Sequence, residues 1–251
     1  MSSISAVFYR EGKIRFTNLV WVFFDLFYPL AYFLLFGVGM NYAFGQALPR
    51  LETDYNAFFL AGAVGMANFG IATNTAWGFF NDRDTHIFYE MLAYPLSRGR
   101  LLVGKVVFNA LLAVVQAAIT LALAVFVLRV PIALPLLPLF FLGVVGFTVG
   151  WFFFFAIFAL KIRRNDVFNT IINVIYFVSL FVSSIFYPLQ LLPDWFRWAA
   201  LANPLTWHVD FLRLTSIGVG VPGEILLECA LFVLFSLASF AYAVRCLQEQ
   251  S

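Results

Sequence analysis

Six long runs of apolar residues alternate with short polar segments along the chain: Leu19–Met40, Asn56–Phe80, Val106–Leu128, Leu134–Leu160, Val167–Phe186 and Ile225–Val244. Crossing a hydrocarbon core of about 30 Å takes roughly 20 helical residues, which each run supplies. No period-two alternation of the barrel type runs through them, so a backbone in lipid must satisfy its own hydrogen bonds as helix. The expected fold class is an all-α integral membrane protein of six transmembrane helices, forming one domain over residues 1–251.

Three segments outside the runs have patterns of their own. Residues 1–18 intersperse Ile4, Val7, Phe8, Ile14 and Phe16 with Arg10, Glu11, Lys13 and Arg15. That pattern fits an amphipathic helix lying at the membrane interface; the alternative is an unstructured lead-in with basic anchors. Between the second and third runs, Asp84 can cap a helix whose apolar face holds Ile87, Phe88 and Met91, and Pro95 disfavours helix at Tyr94. A helix over Asp84–Leu92 is too short to fold alone and must lie against a partner or on lipid headgroups.

The third segment, 187–224, is punctuated by Pro188, Pro193, Pro204 and Pro222 yet rich in Leu, Phe and Trp. Asp194 is placed to cap a helix over Trp195–Ala202. Asn203 and Pro204 form an N-cap and first-turn pair for a second helix reaching about Ser216. At roughly 12 and 18 Å neither can cross, so a re-entrant or interfacial pair is expected in the outer leaflet, with Trp195, Trp198 and Trp207 at headgroup level.

Composition reinforces the membrane reading: 63% of residues are hydrophobic and 11% charged, against about a quarter charged in soluble domains. Charge adds an orientation. With the N-terminus in the cytoplasm, eleven of the fifteen Lys and Arg fall in inner segments and four (Arg50, Arg129, Arg197 and Arg213) in outer ones. This positive-inside bias places both termini in the cytoplasm and the chain as a multi-pass protein of the plasma (inner) membrane. The net charge of +2 then reports topology and contacts with membrane lipids, not nucleic acid. The first run is too long for the apolar part of a cleaved signal and lacks a small-residue cleavage pattern. Cys229 and Cys246 fall near opposite faces of the membrane on the last helix and are read as packing residues.

Candidate chemistry is sparse. Asp25 and Glu228 are acids within the spans, where a carboxylate is costly and faces protein or water. Either lines a pathway, or, for Asp25, pairs with a basic group such as Arg15. Gly143, Gly146 and Gly150 include a G-x-x-x-G that permits close helix packing, within the chain or between copies. Gly99–Val106 approximates a phosphate-binding loop, but Val106 replaces the hydroxyl residue and no strand precedes it, so Gly104-Lys105 reads as a helix start with an interfacial Lys anchor. His86 and His208 fall on opposite sides of the membrane, which excludes a shared haem or metal. His208, Asp210 and Arg213 share one outer helix and read as a solvated face. No catalytic set, metal site or cofactor site is expected in this chain.

Thr85, then Glu90-Met91-Leu92-Ala93-Tyr94-Pro95-Leu96-Ser97-Arg98, continuing through Gly104-Lys105 into a span, resembles the intracellular signature of type-2 ABC exporter permeases. Asn203-Pro204-Leu205-Thr206-Trp207-His208-Val209-Asp210-Phe211-Leu212-Arg213 before the final span does so too, in the expected order. Asp84 departs from the pattern, since relatives often carry Gly there. The resemblance implies a half-transporter that pairs with a second permease copy or paralogue, with a separate ABC ATPase subunit supplying ATP and Mg. It implies that Asp84, Thr85, His86, Ile87, Phe88, Tyr89, Glu90, Met91 and Leu92 form the coupling helix seated on that ATPase. It also makes Trp195, Trp198, Asn203, Pro204, Trp207, Asp210 and Arg213 part of an outer gate. The cargo it implies is amphipathic: a lipid-linked glycan, a lipo-oligosaccharide or a hydrophobic drug, as in the nodulation-factor and drug-export branches. A membrane enzyme acting on lipids and a non-transporting scaffold or regulator are the other readings.

Overall fold

The structure, a computed structural model, describes residues 3–44, 54–85, 87 and 98–248. Among the described residues there are nine α-helices and no strand. They are α1 (Ser3–Thr17), α2 (Leu19–Phe44), α3 (Tyr55–Asp84), α4 (Arg98–Phe126), α5 (Leu137–Lys161), α6 (Asn165–Phe181), α7 (Asp194–Leu201), α8 (Pro204–Ile217) and α9 (Pro222–Gln248). Short 3₁₀ turns at Leu134–Leu136 and Leu189–Leu191 precede α5 and α7.

Among the described residues, five helical stretches are long and apolar enough to cross a membrane: Val22–Tyr42, Tyr55–Asp84, Leu101–Phe126, Leu134–Lys161 and Pro222–Gln248. The expected sixth is shorter than its apolar run. α6 has 17 residues, about 26 Å of helix. Its C-cap, Val182, leaves the helical region (φ −95°, ψ 52°), and Ser183–Phe186 continue as buried irregular backbone. Irregular backbone at membrane depth needs partners inside the protein, and four carbonyls find them. Asn203 Nδ2 donates to Ser179 O at 2.8 Å and also to Val182 O. Arg213 Nη2 donates to Ser184 O at 2.8 Å, and the Tyr55 hydroxyl donates to Phe186 O at 3.0 Å.

α3 is the centre of the bundle, packed by α2, α4, α5 and α8. Its small residues allow this. A Cβ built on Gly62 would lie 2.8 Å from the Ile185 carbonyl oxygen, so the irregular segment can approach only a glycine there. Gly62→Ala is expected to destabilise by about 1–3 kcal/mol, because backbone and not a movable side chain opposes the new methyl. Thermal unfolding of the detergent-solubilised variant checks this; an unchanged midpoint would contradict the close approach. On α5 the working glycines are Gly143, against Phe211, and Gly150, against Phe232 and Ser236, whereas Gly146 meets nothing within 4 Å. Gly143 therefore makes room for α8 and Gly150 for α9, while Gly146 of the G-x-x-x-G pair makes room for neither.

Several boundaries move. α4 begins at Arg98, so Gly99–Val106 is helical and forms no phosphate loop, and Lys105 is a buried residue instead of an interfacial anchor. α1 forms as the amphipathic pattern implies, with Val7 buried and Phe8 edge-on to Phe108 of α4 at 5.4 Å. Pro193, not Asp194, occupies the N-cap of α7, and Asp194 makes no capping bond. Asn203 caps α8 through Leu205 N at 3.0 Å, with Pro204 in the first turn.

Candidate functional site

From Tyr55 to Arg83 every residue of α3 is buried save six: Gly70, Thr73, Asn74, Trp77, Gly78 and Asn81. Their spacing of three and four residues puts them on one face of the helix. They occupy only the half of α3 nearest the basic end of the bundle, the end where Arg10, Lys105 and Arg83 lie. An otherwise enclosed central helix thus carries one accessible stripe, built of small and polar residues.

α2 and α6 border the stripe. Asn74 Nδ2 donates to Asp25 Oδ1 of α2 at 2.8 Å, and Arg15 Nε of α1 pairs with Asp25 Oδ2 at 3.0 Å. Asp25 is thereby neutralised within the protein, as the pairing alternative with Arg15 anticipated. On the other side, the Tyr176 ring of α6 stacks on Phe69 at 5.3 Å and its hydroxyl lies beside Gly70. Asn169 and Asn173 stand seven and three residues before Tyr176, on or beside the same helix face. Tyr28 and Tyr32 of α2 have ring centroids 4.8 Å apart. The result is a groove floored by α3 and walled by α2 and α6, lined with hydroxyls, amides and aromatic faces.

The groove ends toward the opposite face of the bundle. Tyr32 stacks on Phe36 at 5.3 Å, and Phe36, Phe59 and Phe186 form a triangle of rings 5.6–6.2 Å apart. Phe181 joins it at 5.5 Å from Phe186. These contacts make an aromatic plug above Gly70.

At the basic end, a buried ionic network fixes α3 to its neighbours. Lys105 Nζ of α4 lies 2.8 Å from Asp82 Oδ2 and 2.7 Å from Glu11 Oε1 of α1. Arg10 Nη2 reaches Asp82 Oδ1 at 2.6 Å. Burial works against the Arg10 charge, but Asp82 and Glu11 beside it outweigh that cost and hold its pKa above the usual arginine value. The next residue, Arg83, donates to Leu160 O at 2.6 Å and to Ile162 O, capping the end of α5. Consecutive residues of α3 thus grip α1, α4 and α5 immediately before the chain leaves the helix.

The residues singled out in the sequence fall in four places. Asp84 ends α3 instead of starting a new helix, because α3 continues past Phe80 until Thr85, whose hydroxyl bonds back to Asn81 O at 2.7 Å. Ile87 is half-buried, while His86 and Phe88, Tyr89, Glu90, Met91 and Leu92 lie outside the described residues. In the outer pair, Trp195 and Trp198 are exposed (74% and 72%), and Trp207 Nε1 ties α8 to Leu201 O of α7 at 2.7 Å. His208 and Arg213 are buried, so this face is not solvated. Arg213 bonds Asp210 and lies over the Phe58 ring at 4.1 Å; the Ser184 hydroxyl donates to Asp210 Oδ1 at 2.7 Å. His208 stacks on Phe147 at 4.4 Å, accepts the Trp151 indole N–H on Nδ1 at 3.3 Å, and has its Nε2 3.5 Å from Asn68 Nδ2. Glu228 is half-buried and within electrostatic reach of Arg213 and Asp210, away from the groove residues.

The groove residues themselves escaped the sequence reading. Their signal was a polar stripe inside apolar runs, Thr73-Asn74-Trp77-Asn81 on α3 and Asn169-Asn173-Tyr176 on α6, which span-level hydropathy averages away.

The sequence model described as "ABC-2 type transporter" matches residues 2–216. The chain belongs to the ABC-2 type transporter family. Curated relatives named "putative transport permease ycf38" are similar in sequence: one from Cyanophora paradoxa at 27% identity over 190 residues, and ones from Pyropia yezoensis and Porphyra purpurea at 25% over 186 residues. Each alignment covers 74% of this chain and 64% of the relative, so the chain spans less than two thirds of those proteins' length. Both stretches that carried the resemblance, Glu90–Arg98 and Asn203–Arg213, lie within the matched residues.

Proposed function

We propose that the chain is half of an ATP-driven exporter that moves an amphipathic cargo outward across the plasma membrane. The observation that carries this reading is the α3 groove: accessible and polar toward the basic end, plugged by Phe36, Phe59, Phe181 and Phe186 toward the other. In this reading the basic end and both termini face the cytoplasm, in keeping with the charge sorting. Cargo is taken up from the inner leaflet or cytoplasm and leaves past α7 and α8.

The second half is another copy of this chain or a paralogue. Thr170 and Asn173 are exposed on α6, at a depth where lipid is a poor environment for a hydroxyl or an amide. A second half facing α2 and α6 supplies protein and water there and turns two grooves into one path.

ATP and Mg bind a separate ABC ATPase subunit, which docks on the Asp84–Leu92 stretch. Motion imposed there enters α3 at Asp82 and Arg83 and is passed to α1, α4 and α5 through their ionic and capping contacts. Co-reconstitution with the partner ATPase in vesicles tests the proposal by ATP-dependent cargo movement. Glu90→Ala and Ile87→Ala are expected to retain ATP hydrolysis and lose most transport. ATPase binding without movement of any amphiphile would favour a scaffold, and turnover of lipid without ATP would favour an enzyme; either result overturns export.

A further inference from the structure

The basic residues of α1 point to different sides of the helix. Val7, Glu11 and Arg15 recur every four residues on the face turned to the bundle, where Glu11 meets Lys105 and Arg15 meets Asp25. Arg10, at the edge of that face, is committed to Asp82 and Glu11. Tyr9, Lys13 and Thr17 also recur every four residues, two positions on from the buried row, and so form the opposite face. All three are exposed, and Lys13 has no acid partner among the described residues.

Between this row and its neighbour, Arg10-Ile14-Asn18, runs a shallow cleft of about 430 Å³. From Tyr9 to Thr17 it is about 12 Å long. Its surface is largely apolar, as expected of the Tyr9 ring, the Ile14 side chain and the aliphatic stems of Arg10 and Lys13, and no carboxylate is among its described lining residues. At one end Asn18 Oδ1 accepts from Val20 N at 3.2 Å, which leaves the Nδ2 protons for a ligand, beside the exposed Thr17 hydroxyl. The cleft lies where α2 begins, at the basic end of the bundle, which is headgroup depth for a helix lying at the membrane interface.

A phosphodiester supplies the missing counter-charge for Lys13 and acceptors for Thr17 and Asn18. A choline or ethanolamine head adds a cation beside Lys13 and Arg10, with no lining carboxylate to receive it. A free phosphate leaves Tyr9 and Ile14 uncovered, at 62% and 50% exposure. Only an anionic head on an apolar tail answers the whole cleft.

We propose that this cleft binds one anionic phospholipid of the phosphatidylglycerol kind, with its phosphodiester on Lys13, Thr17 and Asn18 and the upper part of its acyl chains on Tyr9 and Ile14. The site lies across α1 from the ionic network and outside the α3 groove, so it is independent of the cargo path. It is a single site with named donors, distinct from the general attraction of inner-face cations for an anionic leaflet. Because the lipid needs the folded α1 face, its binding stabilises the protein.

Native mass spectrometry of the full-length, delipidated protein in detergent tests the site by titration with phosphatidylglycerol, phosphatidylcholine and glycerol 3-phosphate. One phosphatidylglycerol is expected to bind ahead of the rest and at least about tenfold more tightly than either other probe. Lys13→Gln is expected to weaken that first lipid about tenfold, the effect of one charge-assisted hydrogen bond, and to leave phosphatidylcholine unchanged. Lys13→Arg restores the charge and most of the affinity. Arg163→Gln removes another exposed cation and is expected to leave the first lipid in place. Thermal unfolding gives a second readout: phosphatidylglycerol raises the wild-type midpoint, and Lys13→Gln loses that increment while keeping the lipid-free midpoint. Phosphatidylcholine bound as tightly as phosphatidylglycerol, an unaffected Lys13→Gln, or Arg163→Gln as damaging as Lys13→Gln would each overturn the site. Glycerol 3-phosphate matching the whole lipid would make the ligand a free phosphate and overturn the lipid assignment.

Discussion

Replacing Asp82 with Ala is expected to destabilise the protein by about 3–5 kcal/mol, the usual cost of removing one partner from a buried ion pair. Lys105 is 1% exposed, and its ammonium has two carboxylates, Asp82 and Glu11. Without Asp82 the network holds two cations, Arg10 and Lys105, against one acid, inside a helix bundle. The origin of the loss is the stranded charge, so adding Lys105→Met to Asp82→Ala should recover a large part of it. Thermal unfolding in detergent, read for the wild type, both single variants and the double, measures the coupling directly. A double variant no better than Asp82→Ala would show that the pair is not the source. The same site bears on the proposed mechanism, since Asp82 sits two residues before α3 ends. The double variant, restored in stability but lacking the joint between α3 and α4, is expected to hydrolyse ATP with its partner while transporting less.

Asn203→Asp is expected to be more damaging than Asn203→Ala, the reverse of what helix capping alone predicts. Asp and Asn are equally good N-caps, and an Asp would keep the bond from Leu205 N. The other end of the amide decides the outcome. Nδ2 gives its protons to Ser179 O and Val182 O, two carbonyls at the end of α6. Alanine loses the cap, about 1 kcal/mol, and leaves two half-buried carbonyls without their amide donor, at about 1 kcal/mol more. Aspartate keeps the cap but points a carboxylate at the same carbonyls, adding repulsion and the burial of a charge. Unfolding midpoints in the order wild type, Ala, Asp support the double role; Asp at or above Ala would show that Asn203 acts as an N-cap only. Because α6 also walls the groove through Tyr176, loosening its end should weaken binding there as well.

Membrane residence, helix as the only spanning element and the approximate place of each apolar run were legible in the chain because lipid imposes one requirement on every residue of a span: it must be apolar and internally hydrogen-bonded. The Asn203-Pro204 helix start was equally legible, since a cap and a fixed φ act within one turn. So was the pairing of Asp25 with Arg15, because an acid so near the interface needs a nearby cation. The end of α3 was not legible: whether Asp84 ends one helix or begins another depends on how far the packing of α3 extends.

What only the tertiary structure decided involves residues far apart in sequence. Val167–Phe186 is a continuous apolar run, and nothing local to it marks a break at Val182. The break exists because Asn203, Arg213 and Tyr55 arrive from elsewhere with donors for its carbonyls. Likewise, a lone Lys105 reads as an interfacial anchor until Asp82 and Glu11 are brought to it from 23 and 94 positions away. The groove belongs to the same class. Asn74, Asn169, Asn173 and Tyr176 are weak polar marks in separate runs, and they become one lined surface only when α2 and α6 are set on either side of α3. Hydropathy determined which segments enter the membrane, since transfer from water is a sum over single residues. Which of their polar groups face each other is a property of pairs, and only the packed helices specify it.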